Sequence, residues 1–209
     1  MLKIAVLVSG GGTNLQALID AERRGELRSG KLSLVVSSRS DVAALSRGSS
    51  HGIPCAVVER TTYNDTNQFD QTILDILRKN DIDVVVLAGF LSVLGPAVVQ
   101  AYESRMINVH PSLLPSFCGP GLYGIKVHEA ALLRGVKITG ATVHLVNEIP
   151  DGGKILLQKA VTVEPEDTPE SLQRRVMEEA EWVLLPLALE ELCATLSVAK
   201  ESGDASNRS

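Results

Sequence analysis

Lys3-Ile4-Ala5-Val6-Leu7-Val8-Ser9-Gly10-Gly11-Gly12-Thr13-Asn14 is the stretch from which the rest of the chain is read. The run from Lys3 to Val8 is apolar without alternation. It therefore reads as a strand buried on both faces, as in parallel sheets covered by helices. It is too short to cross a bilayer and carries no signal-peptide cleavage pattern. The glycines end it in a tight turn. From Asn14 onward, Leu15, Leu18 and Ile19 recur at helical spacing, which predicts a helix to about Arg24.

The same rhythm continues outward from this unit. Leu32–Val36 reads as a second strand, Val42–Ser49 as a helix and Cys55–Val58 as a third strand. Phe69, Ile73, Leu74 and Leu77 mark an amphipathic helix ending near Asn80. Asp83–Leu87 and Arg105–Val109 are further strands. Strands alternating with helices predict a Rossmann-like, doubly wound, mostly parallel sheet. The pattern then changes. Gly119, Pro120, Gly121 and Gly124 make an irregular loop, and a helix is expected from Val127 to Leu133. Ala141–Val146 and Lys154–Val163 read as strands of an antiparallel extension. Asp167-Thr168-Pro169-Glu170 is a helix start, and Pro186 is expected to kink or restart the long C-terminal helix beyond it. Residues 1–198 are expected to form one domain and 199–209 a polar, frayed tail.

Composition narrows the class. The chain has 209 residues, 44% hydrophobic and 22% charged, which is globular composition. Aromatics are only 3%, so the core must be aliphatic. The net charge of −5 and the absence of a Lys/Arg cluster argue against nucleic acid as a partner. Cys55, Cys118 and Cys193 are odd in number and widely spaced, forming neither a disulfide framework nor a metal site. A cytoplasmic protein with reduced thiols, no metal and no membrane segment is expected, either monomer or homodimer.

Two places carry chemistry. At Ser9–Asn14 a glycine turn meets a helix N-terminus, where free N–H groups and the dipole favour an anion, above all a phosphate. A plain strand–helix turn is the alternative. The dinucleotide pattern GxGxxG would require glycine where Leu15 stands. No acid ends the second strand, although Arg39 there could meet a 2′-phosphate. The P-loop pattern is absent.

Asn108-Val109-His110 lies at the carboxyl end of a predicted strand, where open α/β sheets bind ligands. Alternation sends Asn108 and His110 one way and Val109 inward. An amide and an imidazole placed so can face one developing oxyanion. Pro111 and Pro115 stiffen the segment after His110. His128 and His144 read more simply as core residues, although His144 could approach the site. Asp151, in Ile149-Pro150-Asp151-Gly152-Gly153, is equally an ordinary hairpin turn. Close to His110, its carboxylate would favour the imidazolium or pass a proton through water.

Asn108-Val109-His110-Pro111-Ser112-Leu113-Leu114-Pro115 resembles the signature of the folate-dependent formyltransferases. Gly140-Ala141-Thr142-Val143-His144, leading to Asp151-Gly152-Gly153, is similar to its second half. Val85–Phe90 fits the same pattern, and the likeness runs from about Lys3 to Pro186. The glycine turn resembles the phosphate loop of the branch acting on 5-phosphoribosylglycinamide. The resemblance implies transfer of formyl from the cosubstrate 10-formyltetrahydrofolate to the amine of that compound, in purine synthesis. Asn108 and His110 would stabilise the oxyanion, and Asp151 would support His110 and proton transfer. Gly12, Thr13 and Asn14 would hold the phosphate, and Glu181 would meet the glycyl amine. Leu91, Ser92, Val93, Leu94, Thr66 and Asn108, with Asn147, Glu148, Ile149, Pro150 and Asp151, would form the folate pocket. Ser92 and Thr66 stand where arginines are common in the family.

Relatives acting on tRNA are expected to need a further C-terminal domain, and the deformylases an N-terminal regulatory one. A non-catalytic phosphosugar-binding domain would explain the glycine turn but leave Asn108 and His110 without a task. An NADP oxidoreductase would explain Arg39 but lacks the third glycine.

Overall fold

The computed structural model describes residues 1–206, with side chains as far as Lys200. Seven strands form one mixed sheet in the order β3-β2-β1-β4-β5-β6-β7. They are β1 (Leu2–Val8), β2 (Gly30–Ser37), β3 (Cys55–Val57), β4 (Val84–Leu87), β5 (Met106–His110), β6 (Ile138–Leu145) and β7 (Ile155–Thr162). From β3 to β5 every pairing is parallel, while β5–β6 and β6–β7 are antiparallel. The expected doubly wound sheet and its antiparallel extension are both present.

β1 lies in the interior of the sheet, between β2 and β4, as its lack of a polar face requires. Ile4, Ala5, Val6, Leu7 and Val8 are fully buried. Alternate residues serve opposite layers: Ile4, Val6 and Val8 join one core cluster, Ala5 and Leu7 the other. The strand order reverses between β1 and β4, since β2 and β3 lie on one side and β5 on the other. That reversal opens a crevice at the carboxyl ends of the strands, where the glycine turn and the end of β4 meet.

The helices are α1 (Thr13–Arg23), α2 (Ala43–Ser50), α3 (Thr66–Lys79), α4 (Pro96–Ala101), α5 (Ile125–Arg134), α6 (Pro169–Val176) and α7 (Trp182–Ser206). α3 starts where the Asp65 side chain accepts the Asn67 N–H, and it buries Phe69, Ile73, Leu74 and Leu77. α6 begins with a capping box between Thr168 and Ser171. α4 begins with Pro96 at its first turn. It is too short to show an amphipathic repeat, so the sequence pattern does not reveal it.

Pro186 does not break the C-terminal helix. The irregularity falls just upstream, in a π-turn over Met177–Glu181, and α7 runs on through Pro186. Proline withholds an N–H from the carbonyl four residues back, which here belongs to Trp182, where the wide turn has just closed. α7 also continues through the polar stretch expected as a tail from residue 199, as far as Ser206, while 207–209 lie outside the described residues. The helical stretch Pro169–Lys200 is long and apolar enough, by length and composition, to cross a membrane. Leu172, Val176, Ala180, Leu185, Ala188 and Leu189 on it are nonetheless core residues, as in a helix that covers a sheet.

Candidate active site

The glycine turn is shaped by its neighbours. Gly12 has φ +72, and a Cβ there would lie 2.7 Å from the Ala44 Cβ, so only glycine fits. Around Gly10 and Gly11 nothing lies within 4 Å of an added Cβ. The backbone there is open to a ligand. Ser9 joins the turn to the end of β4: its N–H donates to Gly89 O (3.0 Å) and its Oγ accepts from Leu91 N (2.9 Å). Leu15, at the position where a dinucleotide fingerprint needs glycine, is fully buried in the core. That packing removes the dinucleotide alternative.

On its other side the turn meets the π-turn. Asn14 Nδ2 donates to Glu181 Oε2 at 2.7 Å, and Thr13 Oγ1 reaches Met177 Sδ at 3.7 Å. Glu181 is buried. Burial pushes its carboxyl up to about 7, against the Asn14 hydrogen bond, which favours the charged form. Four residues expected around one substrate, Gly12, Thr13, Asn14 and Glu181, are thus neighbours, although about 170 positions separate the turn from the acid.

The second group is built by sheet register. Leu87 pairs with Asn108 across β4–β5, Asn108 with His144 across β5–β6, and His110 with Thr142. Val109 packs into the core, as alternation requires. Asn108 Nδ2 lies 3.1 Å from His144 Nε2, and His144 Nδ1 lies 2.8 Å from Leu145 O. A carbonyl oxygen only accepts, so His144 carries a proton on Nδ1; when the ring holds that proton alone, Nε2 accepts from the Asn108 amide, and a second proton on Nε2 would face Asp151.

His110 is held differently. Its Nε2 donates to Phe117 O at 2.9 Å, and its Nδ1 lies 3.5 Å from Asp151 Oδ1. With the proton on Nε2 committed to Phe117, Nδ1 has one to offer Asp151 only in the imidazolium. Asp151 Oδ1 is also 3.7 Å from His144 Nε2, and Asp151 Oδ2 accepts from Gly119 N at 3.3 Å. Burial opposes the charge on Asp151. The contacts with His144, His110 and the Gly119 N–H outweigh it and hold the carboxyl below its ordinary range. Both Asp151 (φ +55) and Phe117 (φ +51) adopt left-handed backbone, so strain is concentrated where they meet the histidine.

The Asp151 turn is tightly determined. Ile149 N donates to Asn147 Oδ1 (3.0 Å), and Gly152 N donates to Ile149 O (2.9 Å). A Cβ on Gly153 would fall 1.7 Å from Leu145 O. The segment is a hairpin turn and a site element together.

Asn108, His144 and Asp151 line one end of a cleft of about 150 Å³. Leu91, Ser92, Val93 and Leu94 line it as well, with Asn147, Glu148, Ile149 and Pro150. Leu91, Val93 and Ile149 are all more than half exposed, an apolar rim. Thr66 does not line this cleft; its Oγ1 accepts from Arg60 Nη2 at 3.1 Å. A larger cavity of about 500 Å³, bordered by Ser9, Arg39, Glu59 and Arg60, adjoins at Leu91 and Ser92 but contains none of the Asn–His–Asp group. His128, on α5, is buried and neutral, its pKa lowered to about 4 by burial and then by His110.

The sequence pattern reads His144 more simply as a core residue that could approach the site; the structure sets it against Asn108 and Asp151. Phe117 and Gly119 contribute only backbone groups, which no side-chain pattern reveals.

Residues 2–189 match the family model described as formyl transferase. A chloroplastic phosphoribosylglycinamide formyltransferase of Arabidopsis thaliana is 42% identical over 178 residues, covering 85% of this chain and 61% of that protein. The human trifunctional purine biosynthetic protein adenosine-3 is 41% identical over 201 residues, 96% of this chain and 19% of its own length. The chain thus spans less than two thirds of either relative. Among solved structures, glycinamide ribonucleotide transformylase 1 from Symbiobacterium toebii superposes with a TM-score of 0.87 at 36% identity. That match covers 93% of this chain and 89% of the other.

Proposed function

The chain belongs to the formyl transferase family, and from that premise we propose that it transfers the formyl group of 10-formyltetrahydrofolate to the primary amine of 5-phosphoribosylglycinamide, in purine synthesis. The observation that carries the reading is a pair of complementary features at the carboxyl ends of the strands, joined where Ser9 bonds Gly89 and Leu91. On one side is a glycine turn with open backbone N–H groups, suited to a phosphate. On the other is an apolar cleft ending in Asn108, His144 and Asp151, suited to a flat, largely apolar heterocycle with a reactive polar end.

In the reaction the amine nitrogen bonds to the formyl carbon, and the bond from that carbon to the folate nitrogen breaks. The residues act around these events. Asn108 turns an amide N–H toward the developing oxyanion, and the His110 imidazolium adds positive charge beside it. Asp151 stabilises that imidazolium and relays the proton the attacking amine must lose, directly or through water, to the departing folate nitrogen, which leaves as N–H. Glu181, with a carboxyl near neutrality, holds the amine end of the substrate, while Gly12, Thr13 and Asn14 hold its phosphate. Leu91 to Leu94 and Asn147 to Pro150 enclose the folate ring.

Purified protein supplied with both substrates should release tetrahydrofolate only when both are present. A folded preparation that releases none would refute the assignment.

A further inference from the structure

Three consecutive glycines leave a turn free to adopt many shapes, yet here helix α2 fixes it. Gly10 O accepts the Ala44 N–H at 3.3 Å, and Gly11 O accepts from Arg47 Nε at 2.9 Å. The peptide bonds of the turn are trans, so each carbonyl and the following N–H point in opposite directions. Drawing these two carbonyls toward α2 therefore turns the N–H groups of Gly11 and Gly12 the other way. Neither these nor the N–H groups of Thr13 and Asn14 have a protein partner among the described residues. Asn14 Oδ1 is a further buried group without a partner, an acceptor beside those donors.

Arg47 is half-buried and doubly held. Besides Gly11 O it reaches Gln16 Oε1 through Nη1 at 3.1 Å, bridging the turn and the first turns of α1. No residue from Gly10 to Gln16 is basic, while Glu178, Glu179 and Glu181 crowd the facing π-turn. An anion here needs a nearby cation.

Resting on the reading of 5-phosphoribosylglycinamide as substrate, we infer that Arg47 is a positioning residue for the substrate phosphate. It pins the Gly11 carbonyl so that the turn presents its N–H groups outward, and it sets a guanidinium charge beside them.

Steady-state kinetics of Arg47→Met and Arg47→Lys test this. Losing one charge-assisted hydrogen bond in this role should raise the KM for phosphoribosylglycinamide about ten- to hundredfold. The KM for 10-formyltetrahydrofolate and kcat should stay within about threefold. Arg47→Lys should fall between, because an ammonium cannot bridge Gly11 O and Gln16 as the guanidinium fork does. A titration with inorganic phosphate, followed at the Gly11 and Gly12 amide resonances, gives a readout independent of turnover. The wild type should saturate at lower phosphate than either variant. A wild type that binds phosphate in this order but transfers no formyl group would sink the reaction and leave Arg47 in place. Equal phosphate affinity in wild type and variants, or equal rises in both KM values, would overturn the role of Arg47. If Arg47→Met fails to fold, Arg47→Lys carries the same comparison.

Discussion

Asn108 on β5 and His144 on β6 are direct cross-strand partners, and the Asn108 amide donates to His144 Nε2 at 3.1 Å. One amide hydrogen is thereby committed to the histidine, which fixes the direction of the other. The Leu145 carbonyl fixes the tautomer of His144 in turn. The orientation of the proposed oxyanion donor thus depends on a residue that need not touch the substrate. His144→Ala should fold, bind both substrates with KM values within a few-fold of wild type, and lose rate. A full loss of one oxyanion donor costs ~10²–10³ in kcat, and misorientation should approach that. An unchanged kcat would show that Asn108 is held by other means.

Asp151→Asn keeps the shape of the turn and an oxygen able to accept the Gly119 N–H, but removes the charge facing His110. Proton transfer by a placed carboxylate contributes ~10²–10⁴-fold, so kcat should fall within that range, and the melting temperature near neutral pH should lie below that of the wild type. Because the folded carboxyl is held below its ordinary 3.8, its stabilising contribution is present above that value and is lost as the pH falls through the depressed one. Wild type and variant should therefore converge in stability in acid. A variant with wild-type turnover would remove Asp151 from the mechanism.

The sequence is explicit where structure is local. The unbroken apolar run of β1 and its glycines define a buried strand and a ligand-ready turn, and the Asn108/His110 alternation survives in the burial of Val109. It is silent where structure is made by register. His144 sits among the apolar residues of β6 as a core histidine would, and only the β5–β6 pairing sets it against Asn108. Asp151 reaches the histidines because the β6–β7 hairpin carries it there, information that Asp-Gly-Gly lacks. The helix interruption falls not at Pro186 but upstream, in the π-turn where Glu181 meets Asn14, which no residue pattern marks.

Thr142, the register partner of His110, should matter through the loop after β5. Its Oγ1 accepts from Leu114 N (3.1 Å) and Gln158 Nε2 (3.0 Å) and donates to Ser112 O (2.7 Å). This hub anchors the segment that brings Phe117 O to His110 Nε2. Thr142→Val keeps the volume and removes all three bonds, at a cost of roughly 1–3 kcal/mol in stability. kcat should fall with it, whereas Thr142→Ser should retain both. Lost stability with intact kcat in the valine variant would confine the hub to a structural role.

Glu181 gives the stability of the chain a pH dependence of definite sign. Its carboxyl is raised by burial from 4.5 to about 7, so the folded protein keeps a proton that the unfolded chain releases on passing 4.5. The contribution of Glu181 is then complete below 4.5 and is lost as the pH rises through about 7. That separation corresponds to roughly 3 kcal/mol. Glu181→Gln has no such titration and still carries an oxygen to accept from Asn14. Chemical denaturation of both proteins across this window should show the variant gaining on the wild type as the pH rises, then a constant difference above it. A difference that does not change with pH would mean that the carboxyl ionises normally in the folded chain, and a Glu181 carboxyl titrating near neutrality would have to be given up.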